Sequence, residues 1–187
     1  MSGGRLRLGG AALGAALLLA GCGSAGTFVQ DRSYMRDNTP TFSYIAGGRD
    51  MSTVVVGNPF GGSDEDFAAR VTEILNARNT RQRTNFTTAP GSSARSEYRV
   101  VLAFNTPRAT GRADICRDPS VLATSENGER PVRLQMGFCL NAFSLTYVRG
   151  RLGDVESAED QRFSDFLAQG LLLTQPERDR RRRRDRD

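Results

Sequence analysis

Chemistry in this chain has to come from carboxylates, hydroxyls, arginines and three cysteines. None of its 187 residues is histidine, which removes the Ser-His and Cys-His nucleophile pairs and every imidazole metal site. All 26 basic residues are arginine. Without lysine there is no P-loop lysine, no Ser-x-x-Lys nucleophile and no Schiff base. Cys22, Cys116 and Cys139 lack Cys-x-x-Cys spacing, so neither a metal nor a cofactor is expected. What remains is a pair of carboxylates acting as general acid and base or nucleophile on a glycosidic bond. Asp64, Glu65, Asp66, Glu73, Glu97 and Asp114 are among the acids available. Most fall at helix starts or on exposed faces, where the helix dipole or solvation accounts for them. A non-enzymatic protein is expected, with a carboxylate-based hydrolase of envelope glycans as the alternative.

The segment Gly57-Asn-Pro-Phe-Gly-Gly62 looks like a phosphate-cradling loop between a strand and a helix. It lacks the GxGxxG spacing and a lysine, and Pro59 removes a backbone donor. A turn that tucks Phe60 into the core is the simpler reading.

The elements that must position these residues follow from periodicity. Thr53–Val56 is apolar on both faces, the mark of a central strand. Ser63–Asp66 resembles a capping box, and Phe67, Val71, Ile74 and Leu75 then form one face of an amphipathic helix. Thr84–Thr88 suggests a short strand, and Glu97–Phe104 alternates strongly. Residues 133–140 and 143–150 read as a hairpin across Asn141-Ala142, with Leu134, Met136, Phe138 and Leu140 inward, Cys139 on the opposite face, and Phe143, Leu145 and Tyr147 alternating along the second strand. Ser157–Asp160 repeats the cap pattern before a second helix, whose face carries Phe163, Phe166, Leu167 and Leu171 and which Pro176 stops. Thr41–Ile45 suggests an edge strand. The expected fold is a single α+β domain: a small antiparallel sheet with two helices packed on one face.

The first residues concern address. Arg5 and Arg7 precede a thirteen-residue uncharged run, Leu8–Ala20. That is the n-region and h-region of a secretory signal, too short for a membrane span. The run ends in Leu19-Ala20-Gly21-Cys22, which resembles the lipobox of bacterial lipoproteins. The resemblance implies a diacylglycerol thioether on Cys22, cleavage before it, and acylation of the new amine, palmitate being the acyl group expected. Several acyl chains hold a protein stably where one chain does not. Gly23 and Ser24 follow, not the Asp that retains such proteins in the inner membrane, which favours the outer membrane facing the periplasm. In an exported chain the two remaining cysteines point to one disulfide, Cys116 with Cys139; two free buried thiols are the other possibility.

The formal net charge of +5 is not a nucleic-acid signature. Two arginines leave with the signal, and the tail 177–187 holds seven arginines and four acids, so 22–176 carries 17 of each. Uniform arginine most simply reflects a GC-rich genome. Arg178, Arg180, Arg181, Arg182, Arg183, Arg184 and Arg186 make a disordered tail that could bind anionic surfaces. The expected organisation is therefore a signal peptide (1–21), a lipidated N-terminus and tether (22–50), the α+β domain (51–176) and the tail (177–187). As a whole the chain looks like the small lipoproteins of GC-rich proteobacteria. In outline it is similar to accessory lipoproteins of secretion and export systems. The expected function is that of a binding or accessory component of the cell envelope. Its partners would be the membrane through its lipid, and an envelope protein or anionic polymer, with no nucleic acid.

Overall fold

In a computed structural model of the chain, residues 26–31, 41–124 and 129–175 are described. They form strands β1 (Thr27–Asp31), β2 (Asp50–Val56), β3 (Asn85–Thr87), β4 (Tyr98–Phe104), β5 (Val132–Leu140) and β6 (Phe143–Leu152). The helices are α1 (Phe42–Ala46), α2 (Asp64–Arg78), α3 (Arg112–Arg117) and α4 (Gln161–Thr174), with one 3-10 turn at Pro119–Val121.

The sheet is six-stranded and mixed, in the order β1-β6-β5-β4-β2-β3. β2 runs parallel to both β3 and β4, while the β4-β5, β5-β6 and β6-β1 pairs are antiparallel. This overturns the expected antiparallel sheet with two helices on one face. The physical reason lies in the connections. α2 carries the chain back to the starting end of β2, so β3 must run parallel to β2, as any helical crossover requires. The doubly apolar Thr53–Val56 is the pattern such a strand carries.

Helices also cover both faces. The first face buries Met51, Val100, Leu102, Leu134, Met136 and Phe138 under α1, α2 and α4. Phe67, Phe104 and Phe163 meet there with ring centroids 5.1–6.1 Å apart. Each such pair adds about 0.5–1.5 kcal/mol beyond the area it buries. The second face carries a smaller cluster, Val101, Ala103, Ile115, Cys116, Cys139 and Tyr147, under α3.

Local chemistry explains the remaining differences. Thr41–Ile45 is not a strand: Thr41 caps a helical turn, its Oγ1 accepting from the Tyr44 amide at 3.4 Å. Phe42 and Ile45 thereby reach the first-face core. The cap of α4 is Asp160, which accepts from the Arg162 amide at 2.8 Å, rather than Ser157 three residues earlier. Residues 22–50, expected as a tether, contribute β1, α1 and the start of β2. The hairpin has a bulge at Phe138/Cys139, so Phe138 pairs with Thr146 and Arg133 with Arg151. The extra residue turns Tyr147 onto the second face, as a bulge re-aims the side chains beyond it.

Candidate functional site

The acids singled out in the sequence do not converge on one another, although Asp64 shares a groove with Asp118. Asp64, Glu65 and Asp66 form the first turn of α2, beyond the end of β2. Glu97 stands before the start of β4, which runs parallel to β2. A seven-residue strand therefore lies between them, roughly 20 Å long, against the 5–10 Å that glycoside hydrolysis uses. Glu73 pairs with Arg70 at 2.8 Å on the outside of α2. Asp114 accepts from the Gly111 amide at 2.8 Å and so caps α3. The backbone amide of Glu65 and the Ser63 hydroxyl hold the Glu65 carboxyl below the usual range.

Two open grooves lie at opposite sheet ends. The larger, about 920 Å³, is lined by residues including Arg49, Asp50, Asn76, Asn79, Arg83 and Ser93. Its polar groups are turned to one another. Asp50 accepts from Asn85 Nδ2 and the Gly91 amide, both at 2.8 Å. These bonds, the Asn85 one largest, hold its carboxyl below the usual range. Asn76 exchanges two bonds with the backbone of Phe86, at 2.7 and 3.0 Å. The smaller groove, about 440 Å³, lies along Val54–Gly57 with Asp64, Arg99, Asp118 and Ser120. Asp118 is occupied in capping Ser120 at 3.1 Å. The Gly57–Gly62 turn beside it is built around Asn58, which accepts from the Phe60 amide at 3.0 Å and donates to Gly61 O at 2.8 Å. Phe60 lies edge-on to Phe163 at 5.1 Å. The segment thus serves as a turn with its aromatic ring on the core.

Cys116 and Cys139 are bridged, their Cα atoms 5.5 Å apart, which ties α3 to β5. The Arg99 guanidinium donates to Cys116 O beside the bridge. Close by, Tyr147 Oη donates to Gln135 Oε1 at 2.7 Å, and Gln135 Nε2 donates to Thr106 Oγ1 at 2.8 Å. This buried chain fastens the 105–111 loop to β5 and β6.

The feature that sequence reasoning missed is a row of arginines on the second face. Arg133 on β5 stands directly opposite Arg151 on β6, and Arg149 stands opposite Gln135. On the other side of β6, Thr27 faces Arg151 and Val29 faces Arg149. Arg149 and Arg151 are exposed and Arg133 is partly buried. Arg133 pairs with Glu129, yet its Nε is buried without a hydrogen-bond partner. Directly opposed like charges weaken a sheet, so this pairing has to be tolerated or used. Of the residues expected to bind, Cys22 and the tail arginines Arg178, Arg180–Arg184 and Arg186 lie outside the described residues. Among the described residues no helix is long and apolar enough to cross a membrane, and no group of three His, Cys, Asp or Glu residues could hold a metal.

No protein-family model and no curated protein matches the sequence. Two solved structures of the PelC dodecamer from Paraburkholderia phytofirmans, one of them a point variant, are similar to this chain. Each shares 16% sequence identity over 81% of this chain and 99% of that chain, with a TM-score of 0.40.

Proposed function

We propose that the protein is a lipid-anchored component of the cell envelope, facing the periplasm from the outer membrane and working by binding rather than catalysis. The observation that carries this reading is the leader: two arginines, a short uncharged run, and Leu19-Ala20-Gly21-Cys22. The structural duties of the carboxylates support the non-enzymatic half. Asp114 and Asp160 cap helices, Asp50 closes a loop, and Glu73 is paired on the surface.

The test has two readouts. Mass spectrometry of the N-terminal peptide of the membrane-extracted protein should show Cys22 carrying diacylglycerol and an acylated amine. A free Cys22 thiol, or cleavage elsewhere, refutes the anchoring. Chemical cross-linking in native membranes, followed by purification and mass spectrometry, should recover a reproducible envelope protein or polymer. Turnover of envelope glycan by the purified protein, lost on changing a single carboxylate, would refute the binding role.

A further inference from the structure

We infer that the arginine run Arg180–Arg184 docks back on the acidic first turn of α2, Asp64–Asp66, in its own chain. The inference does not depend on the anchoring proposed above.

Length carries the first part of the argument. The chain leaves the domain at Gln175, the C-cap of α4, whose Nε2 donates to Oδ1 of Asn79, the C-cap of α2, at 3.1 Å. The tail therefore starts beside the end of α2. That helix has 15 residues and is about 22 Å long at 1.5 Å per residue, so Asp64 stands about that far from the exit point. Pro176 cannot carry α4 onward. Arg180 and Arg184 lie five and nine residues beyond Gln175, at most about 18 and 32 Å when extended. The run thus falls at the first turn of α2 when the chain turns back along that helix. Asp66, Ala69, Glu73 and Ala77 form one exposed stripe down α2, and its two alanines leave room for a chain to lie against it.

Charge carries the second part. Asp64, Glu65 and Asp66 are all exposed. Ser63 Oγ donates to Glu65 at 2.9 Å, and among the described residues no arginine pairs with any of the three. The guanidiniums around them are engaged. Arg70, one turn on, holds Glu73 at 2.8 Å and Glu159 at 2.7 Å. Arg162 holds Asp160 at 2.6 Å, and Arg133 pairs with Glu129. Arg130 donates to the carbonyls of Pro59 and Glu129 and lies 5.3 Å over the Phe60 ring. Crediting both Arg130 and the half charge of the helix dipole against the three carboxylates still leaves more than one negative charge. The run answers with five consecutive arginines, and the tail 177–187 stays at +3 after its four acids are counted. Guanidiniums take carboxylates in a fork geometry. A run held there is withheld from anionic surfaces outside, which must compete with these carboxylates for it.

The full chain from residue 22, in neutral detergent at low salt, carries a nitroxide on Arg186→Cys, which leaves the run intact. Broadening of amide resonances reads its proximity. Three exposed ion pairs of ordinary strength favour the docked tail about tenfold, so the amides of Asp64, Glu65 and Asp66 should broaden strongly while those of α3 do not. The broadening should vanish at 1 M salt, where the Debye length is about 3 Å. Sharp α2 resonances at low salt refute the proposal, and so does broadening that survives 1 M salt. Isotope-labelled chain without nitroxide, mixed with nitroxide-bearing chain, must stay sharp; broadening there would give the site to the tail of a second copy and overturn docking within one chain. Changing Arg180–Arg184 to serine alters nothing inside the folded domain and should abolish the broadening, and its persistence would overturn the assignment to the run. Asp64→Asn with Asp66→Asn, checked for folding by its other resonances, should cut the docked excess to about twofold, the one pair left on Glu65; unchanged broadening would overturn the assignment to α2.

Discussion

Replacing both Cys116 and Cys139 by alanine is the sharpest test of how the second face is held. The bridge closes a loop with a sequence separation of 23. Chain-entropy reasoning gives about 3.4 kcal/mol for a loop of that length, acting mainly on the unfolded state. Both residues are fully buried, between Val101, Ala103, Ile115 and Tyr147. The double variant therefore loses two packed sulfurs as well, and about 3.4 kcal/mol is a lower bound. Urea denaturation followed by circular dichroism should show a loss of that size, with a melting temperature about 10 °C lower for a domain this large. Wild-type protein unfolded and refolded under reducing conditions isolates the bridge, because its sulfurs stay in place. It should account for most of the loss. Intact protein under non-reducing conditions should weigh two hydrogens less than the dithiol. A double-alanine variant within about 1 kcal/mol of wild type, or a dithiol mass in protein taken from the cell envelope, would refute the reasoning. Either result would leave α3 held by packing alone, around Ile115.

Further outcomes follow from single contacts. Gly26→Val forces a side chain against Phe166 and within 2.8 Å of Arg151 O. Overpacking of this kind costs about 1–3 kcal/mol, and hydrogen exchange at Phe28 and Val29 should quicken while α2 is unchanged. Tyr147→Phe leaves Gln135 Oε1 without the bond it accepts at 2.7 Å. A loss of about 1–3 kcal/mol in urea melts should follow, and a neutral result would mean the bond contributes nothing net. Asp160 is held below the ordinary carboxylate range first by the Arg162 side chain and then by the Arg162 amide. A carboxyl lowered on folding stabilises above its unfolded pKa, near 4, and that contribution disappears as pH falls through the folded value. Stability should therefore drop below about pH 4, and Asp160→Asn should make the acid limb of a pH titration shallower; an unchanged limb would sink this assignment.

The elements whose period is set by burial were legible in the sequence. α2 was marked by Ser63 at its start and by Phe67, Val71, Ile74 and Leu75 on one face, the residues it buries. β4 was marked by Tyr98, Val100, Leu102 and Phe104 in strict alternation. What escaped depends on partners distant in sequence. β1 is five residues long and is held by pairing with β6 and by Phe28 stacking on Phe166 at 4.6 Å. Neither partner is near it in the chain. α3 spans only six residues and starts on a glycine amide bonded to Asp114, which composition does not announce. The parallel direction of β2 was within reach, because Thr53–Val56 is apolar on both faces and leads into a helix.

The bulge at Phe138/Cys139 decided the candidate site. Counting back from the Asn141-Ala142 turn without it, Arg133 falls opposite Gly150, which puts Arg149 and Arg151 on the core face. With the extra residue Arg133 meets Arg151, and Gly150 turns to the first face, where a Cβ would lie 2.7 Å from the Phe166 ring. A single-residue slip moves every side chain of a strand to the other face, and no local sequence pattern fixes where a bulge sits. The arginine row could therefore not be read before the register was known.

β1 changes the meaning of the N-terminus in the same way. A tether from 22 to 50 would let the domain stand tens of ångströms from a lipid on Cys22, and no surface of it would be favoured to face the membrane. Gly26 is packed against Phe166 and Arg151, and three residues of sequence, 23–25, stand between it and Cys22. Lipidation of Cys22, as proposed, would then select an orientation as well as a location. It would bring the Arg133–Arg151 end of the sheet toward the membrane, and leave the groove of Arg49 and Asp50, at the opposite end of β2, facing away. A periplasmic partner of the anchored domain would meet that far end first.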